Sequence, residues 1–175
     1  MAKAQMLKSL RVAASALLIT AVLAGSSLAA SAPATAAAKQ NQKLLTFTAT
    51  TVDGAAYKST DILKKPTVIW FWTPWCAICR NESKAVAALS VKYAGKVNFV
   101  GVGANGSVDE MKEFVSLNKV SKVTQLNDAT GKIWSRFGVV IQPTLVFVDK
   151  NGKIETHIGP STTSYITKKT AALAK

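Results

Sequence analysis

Hydrophobic positions change their period several times along this chain of 175 residues. Val12 to Leu23 forms an apolar block without charge. Leu44 to Thr51 alternates apolar and polar residues, the pattern of a half-buried strand. Asp53-Gly54 is a hairpin turn signal, with Ala55 to Tyr57 as the returning strand. Ser59 to Leu63 reads as a short helical turn. Pro66 introduces Thr67 to Trp72, a continuous apolar run suited to a central strand covered on both faces. From Cys76 the spacing predicts a helix to about Tyr93, with Val86, Leu89 and Tyr93 on one face and Gly95 at its end.

Val97 to Val102 is a second buried strand, and Gly103-Ala104-Asn105-Gly106 a loop. Ser107-Val108-Asp109-Glu110 is a capping box that opens a helix to about Asn118. Val123 to Leu126 is a short strand, and Lys132 to Phe137 a helical segment. Thr144 to Val148 and Lys153 to Ile158 are strands joined by the turn Asp149-Lys150-Asn151-Gly152. Ser161 to Ala174 is a weakly patterned last helix. A hairpin, then β-α-β-α, then a hairpin and a helix predict an α/β sandwich with a mixed central sheet.

The apolar block near the start belongs to a leader. Lys3, Lys8 and Arg11 precede it, and small-residue A-x-A sites follow at Ala30-Ser31-Ala32 and Ala34-Thr35-Ala36. Residues 1–38 therefore read as a cleaved secretory signal peptide, and residues 39–175 as one domain. The alternative is an uncleaved amino-terminal anchor. The second half of the segment is Ser, Thr, Pro and Ala, which insert poorly and favour cleavage. Ser26 stands where a lipobox needs its cysteine, which excludes a lipoprotein.

The remaining 137 residues are long enough for a single buried core. Without the three basic residues of the leader, the formal charge of +13 becomes +10. Its lysines are spread along the chain with no basic run interleaved with aromatics, so nucleic acid is not expected as a partner. A weak association with anionic surfaces is compatible with the charge.

The chemistry lies in Trp75-Cys76-Ala77-Ile78-Cys79, which holds both cysteines of the chain. A strand that ends in C-x-x-C and opens a helix places the first thiol among unpaired backbone N–H groups, where a thiolate is favoured. The second thiol is within reach to close a disulfide. A loop this short constrains little unfolded-chain entropy, so a structural staple is the weaker reading. Zinc needs further ligands and the chain has one histidine, His157, expected at the surface. Arg80 after Cys79 excludes a C-x-x-C-H haem site.

Phe71-Trp72-x-x-Trp75-Cys76-x-x-Cys79, with Gln142-Pro143-Thr144 before a later strand, resembles the thioredoxin fold. The amino-terminal hairpin, the middle helix and Cys79-Arg80-Asn81-Glu82 narrow the resemblance to the exported TlpA/ResA/DsbE-like thiol–disulfide oxidoreductases, over about residues 43 to 174. The resemblance implies that Cys76 attacks and Cys79 resolves the mixed disulfide. It implies a cis Pro143 packed over the disulfide, with the backbone of Gln142 pairing with an extended client. Trp75 is expected on the apolar rim that receives clients, and Trp72 in the core. No cofactor is implied beyond the Cys76–Cys79 disulfide. The implied partners are exported proteins with thiols or disulfides, and a redox partner protein.

Two departures stand out. Thioredoxins carry a buried Asp six residues before the first cysteine, and Trp70 is here instead. Glu82 then becomes the candidate proton carrier, on the same helix face as Cys79. The alternative for Glu82 is an exposed first-turn carboxylate favoured by the helix dipole. Lys84 replaces a proline that kinks this helix in many relatives. Ala77-Ile78 offers no charge to stabilise a Cys76 thiolate, so a moderate potential is expected, inside the span of about −270 to −120 mV and away from its extreme oxidising end. The direction of exchange leans towards oxidation of exported proteins. Competing readings are a reductase for cytochrome c maturation and a non-enzymatic module binding metal through its two thiolates.

Overall fold

The structure is a computed structural model that describes residues 33–62 and 64–175. The leader expected over residues 1–38 lies outside these except at its end, where helix α1 (Pro33–Leu45) crosses the expected domain boundary. The alternating pattern from Leu44 had suggested a strand there. Helix-favouring Ala, Gln and Lys dominate the segment, and Pro33 suits a first helical position. The carboxy-terminal end of α1 is tied to the domain: Leu45 is fully buried. Arg136 Nη1 donates to Lys43 O at 3.0 Å, and Asn41 Nδ2 to Gly152 O at 3.1 Å. Strand β1 is accordingly shorter than expected, Thr48–Thr51.

It pairs antiparallel with β2 (Ala56–Lys58) around the Asp53-Gly54 turn, where Gly54 takes a φ of 88°. A 3-10 turn at Ser59–Asp61 leads towards β3 (Thr67–Trp72), and α2 (Ala77–Lys92) follows. Next come β4 (Asn98–Gly103), α3 (Val108–Leu117) and β5 (Thr124–Asn127). The chain closes with α4 (Lys132–Arg136), β6 (Thr144–Val148), β7 (Ile154–Ile158) and α5 (Thr163–Leu173). Ser107 caps α3 with the reciprocal Glu110 contact that its sequence predicts. Helix α2 runs unbroken through Lys84.

The seven strands order as β2-β1-β5-β4-β3-β6-β7. β3 is parallel to β4 and antiparallel to β6, which makes the sheet mixed. All six β3 residues are buried, because helices cover both faces of the sheet at its centre. Alternation then divides the strand. Val68, Trp70 and Trp72 join the core under α2, α3 and α5, while Ile69 and Phe71 join a second core with Leu45, Leu126 and Trp134. Burying an aromatic side chain such as Trp70, Phe71 or Trp72 contributes about 1.5–3 kcal/mol.

The first core has one uncommon device. Trp72 lies over β4 at Gly101 and Gly103. A Cβ on Gly101 would sit 2.9 Å from Trp72 Nε1, and one on Gly103 2.9 Å from Cζ2. Two glycines in a buried strand thus make room for an indole. Trp72 also stacks on Phe114 at 4.3 Å between ring centroids.

Candidate active site

The end of β3 and the start of α2 place the two cysteines. After Trp72 the chain leaves the sheet through Thr73-Pro74-Trp75, and Cys76 becomes the N-cap of α2 with extended backbone. Cys76 Sγ accepts a hydrogen bond from Cys79 N–H at 3.0 Å, and Cys76 O accepts one from Arg80 N–H at 3.1 Å. The cap site that Ser or Asp commonly fills is occupied by sulfur. The two sulfurs are joined in a disulfide, with Cα atoms 5.2 Å apart. Cys76 retains 6% of its surface exposure and Cys79 none, so an incoming thiolate has access to Cys76 alone. A sulfur anion at Cys76 would lie against helix N–H groups and the positive end of the α2 dipole.

Exposed apolar residues flank Cys76 along the chain. Trp75 and Ile78 are exposed, Trp75 by 61% of its surface. Val140 and Ile141, on the segment leading to Pro143, are exposed as well. Trp75 is held from beneath: its Nε1 donates to Asn105 O at 2.9 Å. Asn105 has a φ of 52°, an uncommon value that turns this loop beneath the indole. Next to Trp75 a recess of about 230 Å³ is lined by Pro74, Arg80, Glu110, Glu113 and Leu117, among others.

The peptide bond Gln142–Pro143 is cis. Pro143 is buried, and its carbonyl accepts from Gly159 N–H at 2.8 Å. Among the described residues no hydrogen bond engages the Gln142 backbone, and β6 pairs with β3 only from Thr144 onwards.

Glu82 is neither exposed nor in the first turn of α2. It is buried at 3% exposure on α2, three residues after fully buried Cys79 and on the same helix face. That removes the reading of Glu82 as a solvated helix-terminus carboxylate. Both carboxyl oxygens are engaged. Oε2 accepts from Trp70 Nε1 at 3.0 Å, and Oε1 from Ser161 N–H at 2.7 Å. Burial pushes its carboxyl up from the ordinary value of 4.5, opposed by the Ser161 and Trp70 hydrogen bonds and by His157.

His157 is half-buried rather than freely exposed. Its ring lies against Tyr165, with centroids 4.5 Å apart, and its Nε2 is 3.2 Å from Pro160 O. Four participants have roles that sequence reasoning did not assign. Trp70 and Ser161 hold Glu82, Gln125 accepts from Trp72 Nε1 at 3.0 Å, and Asn105 supports Trp75. Only the Gly101-x-Gly103 pattern gave a local signal, for the space taken by Trp72.

A mixed sheet flanked by helices, with a C-x-x-C disulfide at the start of its first long helix and a cis proline before β6, defines a thioredoxin-like thiol–disulfide oxidoreductase. The model of the AhpC/TSA family matches residues 40–157, and the chain belongs to that family. It is 37% identical over 131 residues to the soluble secreted antigen MPT53 of Mycobacterium tuberculosis, covering 75% of this chain and 69% of that protein. Its fold is similar to that of MTB dsbF, solved in mixed oxidised and reduced forms, at a TM-score of 0.71 and 38% identity, covering 74% of this chain and 96% of that one. It is equally similar, at a TM-score of 0.71 and 36% identity, to a secreted M. tuberculosis disulfide oxidoreductase homologous to E. coli DsbE. That match covers 75% of this chain and 98% of the other. Among the described residues no helix is long and apolar enough to cross a membrane.

Proposed function

We propose that the protein works outside the cytoplasm as an oxidase of exported proteins, passing its Cys76–Cys79 disulfide to pairs of client thiols. One observation carries the exchange chemistry of this reading: Cys76 is the only cysteine of the pair with any exposure, and it caps α2. A client thiolate attacks Cys76 Sγ. The Cys76–Cys79 bond breaks, its electron pair stays on Cys79, and a mixed disulfide joins Cys76 to the client. The client's second thiolate then attacks its own sulfur in that mixed disulfide. Cys76 leaves as a thiolate stabilised by the N-terminus of α2, and the client carries the new disulfide.

Glu82 handles the proton. With its pKa raised by burial, it protonates the Cys79 thiolate when the disulfide opens and takes the proton back when it closes. The unengaged backbone of Gln142 pairs with the extended client, as in strand addition, and Trp75 receives an apolar client side chain. Export is supported by the basic and apolar leader pattern and by the secreted relatives. A redox partner protein restores the disulfide after each turnover.

The test is trapping. By the reverse of the same exchange, Cys79→Ser, expressed with its leader in an exporting host, is expected to accumulate mixed disulfides between Cys76 and exported proteins, formed when the free Cys76 thiolate attacks a client disulfide and left without Cys79 to resolve them, and these disappear in Cys76→Ser. Normal turnover of dithiol substrates by Cys79→Ser would overturn the two-cysteine mechanism. Absence of the trapped species outside the cytoplasm would overturn the site of action.

A further inference from the structure

In this chain the buried carboxylate of the exchange centre is reached from an unexpected side. Trp70, two residues before Trp72 on the same face of β3, is 1% exposed and donates its only polar hydrogen to Glu82 Oε2. A buried indole N–H needs an acceptor, and a buried carboxylate needs donors, so each satisfies the other. The second oxygen is fixed by Ser161 N–H, from the loop between β7 and α5. Two donors from two separate elements restrict the carboxyl group in position and in rotation. Trp70 is itself immobilised by packing on Trp72 and Phe114.

We propose that Trp70 is a positioning residue for disulfide exchange: its indole N–H holds the Glu82 carboxyl on the Cys79 face of α2 and sets the pH at which that group exchanges its proton with Cys79. This rests on the reading of Glu82 as the proton carrier. An N–H aimed at a carboxylate favours the ionised form, whereas burial favours the neutral one. Trp70 therefore opposes the effect of burial on the Glu82 carboxyl. The charged and titratable groups nearby are few. From β7, His157 opposes the effect of burial on Glu82, and its ring is covered by Tyr165 of α5. Lys169 of α5 is paired to Glu155 of β7. On α2 itself Cys79 lies three residues earlier, on the same helix face.

The experiment measures the rate of oxidation of a dithiol peptide against pH for the full chain, for Trp70→Phe, for Glu82→Gln and for the double variant. Phe keeps an aromatic ring in the core and removes the N–H. If Trp70→Phe fails to fold, benzothienylalanine placed at position 70 alone keeps the shape of the indole without its donor. Loss of the donor is expected to move the inflection assigned to Glu82 upward by about one to two pH units. In the Glu82→Gln background the same change is expected to leave the profile where Glu82→Gln put it. An unmoved inflection in the Trp70 variants, with Glu82→Gln still abolishing it, overturns the positioning role and leaves Glu82 as the proton carrier. A Glu82→Gln profile identical to that of the parent overturns the Glu82 reading, and this proposal with it. A shift in Trp70→Phe that persists without Glu82 assigns the effect to packing and also overturns the proposal.

Discussion

The indole of Trp72 and the side-chain amide of Gln125 are joined by a buried hydrogen bond of 3.0 Å across the sheet, from the end of β3 to β5. Gln125 Nε2 in turn donates to Val120 O at 3.1 Å, so its amide is oriented from both ends. The bond crosses over β4 at Gly101, where a Cβ would collide with Gln125 Oε1 and Trp72 Nε1. Gly101→Ala is expected to push a methyl group into this pair and destabilise the fold by about 1–3 kcal/mol. Urea unfolding would measure it. A stability equal to that of the parent would mean that Trp72 has another place to go.

Cys76 and Cys79 differ in access and in electrostatics. After reduction, Cys76 is expected to react with an alkylating agent faster than Cys79 near neutral pH, because it is the less buried of the two and the one at the helix N-terminus. Peptide mapping after brief alkylation decides the order. Preferential labelling of Cys79 would contradict the N-cap account of the site.

Glu82 makes stability depend on pH with a definite sign. Its folded-state pKa lies above the ordinary value of 4.5, so the folded state binds the proton more tightly than the unfolded one. Below that ordinary value both states are protonated, and the full benefit of the neutral buried acid is present. As pH rises through it, the unfolded chain ionises first and stability is lost, until the raised folded value is passed. Relative to Glu82→Gln, which carries no such ionisation, the parent is expected to lose stability over that interval. Chemical unfolding of both proteins at a series of pH values gives the difference. A difference independent of pH would show that burial does not govern this carboxyl.

Trp75 contributes its surface to clients rather than to the core. Trp75→Ala removes an exposed ring and a peripheral hydrogen bond to Asn105, and its effect on stability is expected within about 0.5 kcal/mol. KM for a cysteine-containing peptide is expected to rise, while the rate with a small dithiol, which needs no docking, stays near the parent value. An equal loss with both substrates would place Trp75 in the exchange step itself.

Local pattern determined much of this molecule. The continuous apolar run Thr67 to Trp72 had to be a strand covered on both faces, and Ser107 with Glu110 had to open a helix. The spacing of Cys76 and Cys79 after a strand had to place one sulfur at a helix terminus. Each follows from residues a few positions apart, where backbone geometry and solvation act without help from the rest of the chain. Residues 33–45 show the limit. Their small residues satisfied a leader and a helix alike, and contacts from Arg136 and Gly152, distant in sequence, accompany the helical choice. The same limit applies at the active centre. Glu82 read alone was compatible with an exposed helix-terminus charge. Its burial arises where β3 passes beneath α2 and the loop before α5 arrives at Ser161, 79 residues later. Hydrogen bonds such as Trp70–Glu82 and Trp72–Gln125 join positions with no shared period, so only the packing of the sheet against its helices brings donor and acceptor together and excludes the water that would otherwise serve both.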